Sequence, residues 1–168
     1  MKLDILAFAA HPDDVELAAS GTVIKHIKQG KKVGVIDLTR GELGTRGSAE
    51  LRDKEAEASS KILGLSTRHN LDLGDGFFEI NENALKAIIR VIRLYQPSVI
   101  LCNSISDRHP DHGRAGDLVS RAVFLSGLRK IETIHLGEKQ TPHRVSYTHV
   151  TLPTKVSVLL WVVGGGGG

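Results

Sequence analysis

Apart from Asp4, every residue from Leu3 to Ala10 is apolar. A run of that length and character suits a strand covered on both faces rather than one open to water. The next segment changes period. From Val15 to Gln29 the residues Val15, Ala19, Val23 and Ile27 recur every four positions, and Gly30 follows as a stop. Lys32–Thr39 reads as a second strand through Val33, Val35, Ile36 and Leu38. After the glycine-rich loop Arg40–Gly47, a helix starts near Ser48, carries Leu51, Ala58, Ile62 and Leu65 on one face, and breaks at Gly64. His69–Leu73 is a short strand candidate, turned by Gly74-Asp75-Gly76. Leu85, Ile88, Ile89, Ile92 and Tyr95 form the cleanest helical stripe, which Pro97 ends. Val99–Asn103 is a fourth strand, and a helix opening at Asp111 or Gly113 runs to Gly127. Strands alternating with helices of this length imply right-handed βαβ units. The expected fold is α/β: a Rossmann-like, doubly wound, mostly parallel sheet with helices on both faces.

Composition removes several function classes. One cysteine, Cys102, permits no internal disulfide and fits a reducing compartment. It lies in the apolar run Ser98–Asn103, where a small buried hydrophobe is the natural reading. Aromatic residues are 4% of the chain, too few for a stacking platform that binds single-stranded nucleic acid. Net charge is +3, and Lys25, Lys28, Lys31 and Lys32 cluster at one helix end, where cations favour the macrodipole. No nucleic-acid partner is implied. No apolar run approaches the ~20 residues of a membrane span, and the N-terminus lacks a signal-peptide pattern. The expectation is a cytoplasmic protein without a membrane partner.

Two segments carry chemistry: Ala10-His-Pro-Asp-Asp-Val-Glu16 and Asp107-Arg-His-Pro-Asp-His112. Each follows an expected strand. In a doubly wound sheet of order 3-2-1-4, strands one and four lie side by side where the winding reverses, and ligands bind beyond their carboxyl ends. The two segments should therefore face each other across one cleft. Imidazole and carboxylate suit zinc, whose catalytic sites keep three protein ligands and an open position. His11, Asp14 and His112 are the candidate ligands. Zinc lowers the pKa of a bound water toward ~7 and polarises a carbonyl. Asp13 is placed to accept the water's proton. His109 can stabilise an oxyanion and protonate a leaving amine, with Asp111 orienting or charge-stabilising His109, a position that also suits a helix cap. Turn and helix-cap roles are the competing account of each His-Pro-Asp.

With both motifs intact, the chain resembles the LmbE-like, or PIG-L, deacetylase family over residues 1–140. It is most similar to the bacillithiol-pathway enzymes that deacetylate N-acetylglucosaminyl-malate, through Leu3–Ala7, Gly30–Val33, Asp37–Leu43 and Asp107–Gly113. The resemblance implies one Zn2+ on His11, Asp14 and His112, Asp13 as base, and His109 as oxyanion stabiliser or acid. Arg52 matches a family arginine that lines the substrate cleft. Arg52, and more weakly Arg108, is expected to grip an anionic part of the substrate with a two-pronged guanidinium. The resemblance also implies a homo-oligomer and a small-molecule N-acetylglucosamine conjugate as substrate. Where family members carry glycines, this chain has Ala18 and Ser20.

From about Val145 the character changes. Val156–Val163 is apolar, Gly164–Gly168 is low complexity, and neither shows helix or cap logic. The expected organisation is a C-terminally truncated deacetylase domain over 1–144 and a foreign tail over 145–168, with a native tail carrying a short strand at Arg144–Leu152 as the alternative. The alternatives are a metal-binding fragment with impaired catalysis, a deacetylase of another N-acetylglucosamine conjugate, and a dinucleotide-binding module. The last would need G-x-G-x-x-G after strand one, where His-Pro-Asp-Asp stands instead.

Overall fold

The computed structural model describes residues 1–45 and 47–150. Five parallel strands form the central sheet: β1 (Ile5–Ala9), β2 (Val33–Asp37), β3 (Thr67–Asn70), β4 (Val99–Cys102) and, after a short hairpin of β5 (Ile134–His135) and β6 (Glu138–Lys139), β7 (Tyr147–Val150). Their order is β3-β2-β1-β4-β7. The sequence expectation of a doubly wound parallel sheet is met, and β1 and β4 are neighbours in register Ile5↔Val99 to Ala7↔Leu101.

The alternation of side chains along each strand divides the core in two. Leu6, Phe8, Ile36, Leu38 and Ile100 point to one face, where α3 (Glu82–Tyr95) and α4 (Pro110–Ser126) cover them. Ile5, Ala7, Ala9, Val33 and Val35 point to the other, packed by Val15, Ala19 and Val23 of α1 (Asp14–Lys28). Every residue of β1 and β2 is buried, as expected for their apolar residues, and Asp37 at the end of β2 is buried against Arg68. Ile88, Ile89 and Ile92 of α3 are fully buried, each contributing about 1.5–3 kcal/mol of transfer free energy. Local signals set the helix ends. Ser48 accepts the Leu51 N–H and Asn81 accepts the Ala84 N–H, while Gly64 closes α2 (Ala49–Leu63) at φ 75°.

Helix α2 departs from expectation. Leu51 and Ile62 are 47% and 84% exposed, and Ala56 and Leu63 face inward instead. The reason lies beneath the helix: the Ser59 hydroxyl donates to Glu16 and the Ala56 carbonyl accepts from Arg68. A buried charged network needs a small, polar helix face above it, so the apolar stripe does not set the orientation.

Observed contacts run past the expected boundary at 144. Val145 packs on the core of α3 and α4, and Tyr147–Val150 pair with Val99–Cys102 as an edge strand. Without β7, strand β4 would present an open ladder. The rest of the presumed tail, residues 151–168, lies outside the described residues, and its foreign origin remains a proposal. Deleting 151–168 is expected to leave the thermal unfolding midpoint unchanged. Deleting 145–168 should lower it by several degrees, since each lost ladder hydrogen bond is worth about 1 kcal/mol. Equal midpoints for the two deletions would return the boundary to 144.

Candidate metal centre

The chain immediately after β1 is fixed from both sides. The Ala10 N–H donates to Asn103 Oδ1 at 2.9 Å, and the Ala10 carbonyl accepts from the Thr39 hydroxyl at 2.8 Å. The carboxyl ends of β1, β2 and β4 thereby hold the start of the first motif. Asn103 also donates through Nδ2 to Asp14 Oδ2 at 3.0 Å, joining the two motif-bearing loops. The second loop lies directly against α4. A Cβ on Gly116 would fall 2.6 Å from the Asn103 carbonyl oxygen, so only glycine permits that approach. Pro110 occupies the first turn of α4, where its missing N–H costs nothing.

Three imidazoles converge. His11 and His109 have ring centroids 4.9 Å apart, His109 and His112 4.7 Å, and His11 and His112 5.3 Å. His112 Nε2 lies 3.1 Å from Asp14 Oδ1, and His11 Nδ1 lies 3.8 Å from Asp14 Oδ2. The opposite nitrogen of each of these rings faces a carboxylate: His11 Nε2 is 3.1 Å from Asp75 Oδ1, and His112 Nδ1 is 3.4 Å from Asp107 Oδ2. Burial pushes the Asp14 carboxyl up, but hydrogen bonds from His112 and Asn103 and the nearby imidazoles outweigh it and hold it below the usual range. Burial likewise pulls His112 down, and the carboxylates of Asp14 and Asp107 overcome this to leave it raised. Among the described residues, two sets of donor atoms approach within 4.8 Å of one another: those of His11, His109 and His112, and those of His11, Asp75 and Asp111.

The cleft has a volume of about 460 Å³, and His11, Asp13, Asp14, Arg52, His109, Asp111 and His112 all line it. Asp13 stands at the N-cap of α1 but makes no side-chain cap bond. Its exposed carboxylate has no hydrogen-bond or ion-pair partner among the described residues. The cap account therefore fails for the first motif. It holds in part for the second, where His109 Nδ1 accepts the Asp111 N–H at 3.3 Å. Asp111 meets His109 through this backbone N–H, and its side chain turns elsewhere. Its carboxylate accepts from Gly76 N–H at 2.8 Å and Arg114 at 2.8 Å, and lies 3.4 Å from His11 Nε2. At 1% exposure it is part of the wall behind His11.

Arg52 extends across the Gly41–Gly44 turn. A Cβ on Gly41 (φ 64°) would meet its Nη1 at 2.6 Å. Its guanidinium makes no bond to any described residue. Arg108 is exposed and does not line the cleft. Sequence reasoning missed Asp75, Asn103 and Asp107. Asn103 directly follows β4 and Asp75 lies in the loop after β3, and the rule that ligands sit beyond the carboxyl ends of the strands could have flagged them.

The family described as GlcNAc-PI de-N-acetylase, PIG-L, matches residues 6–123. The chain belongs to this family. Over 160 residues it is 32% identical to diacetylchitobiose deacetylase of Thermococcus kodakarensis, covering 86% of this chain and 60% of that enzyme. A probable N-acetyl-α-D-glucosaminyl L-malate deacetylase of Bacillus anthracis is 24% identical, over 92% of this chain and 78% of the relative. The crystal structure of a conserved protein from Thermus thermophilus superposes with TM-score 0.80 at 39% identity, covering 87% of this chain and 64% of that one. The chain thus spans about three-fifths of the length of the Thermococcus enzyme. No helix among the described residues is long and apolar enough to cross a membrane.

Proposed function

We propose that this chain is a metal-dependent hydrolase that removes the N-acetyl group from an N-acetylglucosamine conjugate, with N-acetylglucosaminyl-malate as the leading substrate. One observation carries the reading. His11 and His112 each turn one ring nitrogen toward Asp14 and the other toward a carboxylate, Asp75 and Asp107 respectively. Ligating imidazoles are typically backed in this way, because the outer carboxylate fixes the tautomer and makes the inner nitrogen a better donor. The donor set His11, Asp14 and His112 fits zinc, which when bound supplies Lewis acidity and an acidified water.

The remaining roles belong to the chain's own side chains. Asp13, exposed in the cleft and free of structural bonds among the described residues, takes the proton of the attacking water. His109 offers Nε2 to the oxyanion and to the departing amine, its Nδ1 being held by the Asp111 N–H. Arg52, unpaired among the described residues, reads a carboxylate on the substrate.

Elemental analysis and acetate release by the full chain test this together, on N-acetylglucosaminyl-malate and on N,N'-diacetylchitobiose. Near-stoichiometric zinc and acetate release are expected, both lost in His112→Ala. Wild-type metal content in that variant removes His112 from the site. Full metal with no acetate from either substrate selects the alternative of a metal-binding chain without turnover.

A further inference from the structure

Arg68, on β3, is buried beneath the first motif with 7% of its side chain exposed. Its guanidinium spends its donors on four separate parts of the chain. Nε and Nη2 grip Asp37, the last residue of β2, at 2.7 and 2.9 Å. Nη1 donates to Glu16, in the first turn of α1, and at 3.4 Å to the Ala56 carbonyl of α2. Nη2 also donates at 2.9 Å to the carbonyl of Pro12. That last bond falls on the peptide between Pro12 and Asp13, inside the turn that His11 and Asp14 flank. The plane of this peptide fixes the direction in which the residues on either side leave the turn, because the backbone is free only about φ and ψ.

Given the ligand set proposed above, we infer that Arg68 is a positioning residue for the metal turn His11–Asp14. It clamps the Pro12 carbonyl to the rigid end of the sheet. Only a planar fork can do so while holding Asp37 with two parallel bonds and reaching Glu16 as well; a lysine ammonium is a single point of charge. Ser59 is the other donor to Glu16, at 2.6 Å, and the second Glu16 oxygen is buried without a partner among the described residues. The network therefore has no spare donor to take over the Pro12 carbonyl.

Arg93 provides a matched control. It too is buried, and it donates to the carbonyls of Ser126, Leu128 and Ile131 at the far end of α4. Zinc affinity is measured by competition with a chromogenic chelator on the whole chain, and ligand geometry by the visible spectrum of the cobalt-loaded protein. Arg68→Lys and Arg93→Lys should both lower the unfolding midpoint. Only Arg68→Lys should weaken zinc, by about tenfold, the scale of an outer-shell loss, and shift the cobalt spectrum. Asp37→Asn, nearly isosteric, removes one anchor of the fork and should weaken zinc in the same direction if the lysine variant does not fold. Wild-type affinity in the Arg68 and Asp37 variants overturns the inference, as does equal weakening in Arg93→Lys. A wild-type chain that takes no zinc overturns the ligand set itself, and the inference with it.

Discussion

Replacing Asp13 by asparagine is expected to cut turnover by ~10²–10⁴-fold, the usual contribution of a positioned general base, while leaving zinc content and thermal midpoint unchanged. The separation follows from what the carboxylate does in the fold. Residue 13 is the N-cap of α1, a position where aspartate ordinarily accepts a backbone N–H and contributes about 1 kcal/mol. Here no such bond is made, so the amide costs the helix nothing on that account. Asp14, its neighbour, is the opposite case: buried, and bonded to Asn103 and to the His11 backbone N–H. An Asp14→Asn variant should therefore lose metal before it loses chemistry. Acetate release per bound zinc, measured on both variants, separates the two. If Asp13→Asn lost its zinc and kept its rate per metal, the adjacent aspartates would exchange roles.

Gly116→Ala is the substitution with the largest expected effect outside the cleft. Alanine is the better helix former by up to about 1 kcal/mol, and Gly116 lies within α4, so propensity alone argues for stabilisation. Sterics argue the other way and win. The added methyl would meet Asn103 O at 2.6 Å, Ile105 N at 2.9 Å and Ser104 C at 3.0 Å. All three are backbone atoms, which cannot rotate aside as a flexible side chain can. Overpacking of this kind costs about 1–3 kcal/mol. The displaced loop also carries Asn103, whose bonds to Ala10 and Asp14 are worth about 1 kcal/mol each. The variant should unfold at a lower temperature and bind zinc more weakly. Gly21→Ala in α1 is the contrast: nothing lies within 4 Å of its Cβ position, so the propensity gain should appear alone, as a rise of about 2–4 °C per kcal/mol. A Gly116→Ala chain that gained stability as Gly21→Ala does would mean the loop is not held against α4.

The sheet, its winding and the meeting of the two His-Pro-Asp segments were all legible before any coordinates. These follow from short-range signals: the apolar run of β1, the valines and isoleucine of β2, a helix start near Ser48, and the stops at Gly64 and Pro97. Each is written within a few residues of the element it controls. The order of β1 and β4 then follows from the handedness of crossovers. Whatever depends on contacts across the sheet had to wait for the folded chain. Asp75 backs His11 from 64 residues away, and Arg68 reaches Pro12 from 56. Both are charged residues in ordinary local sequence, and a charge that forms a buried partnership looks the same in a sequence as one that faces water. The side of α2 that turns inward was likewise hidden, because the network under it reversed the usual preference for an apolar face. So was the task of Asp111: its place in a His-Pro-Asp motif suggested His109, while the fold turned its carboxylate to Gly76, Arg114 and His11. Motif spacing fixes where along the chain a side chain begins, but only packing fixes which neighbour it meets.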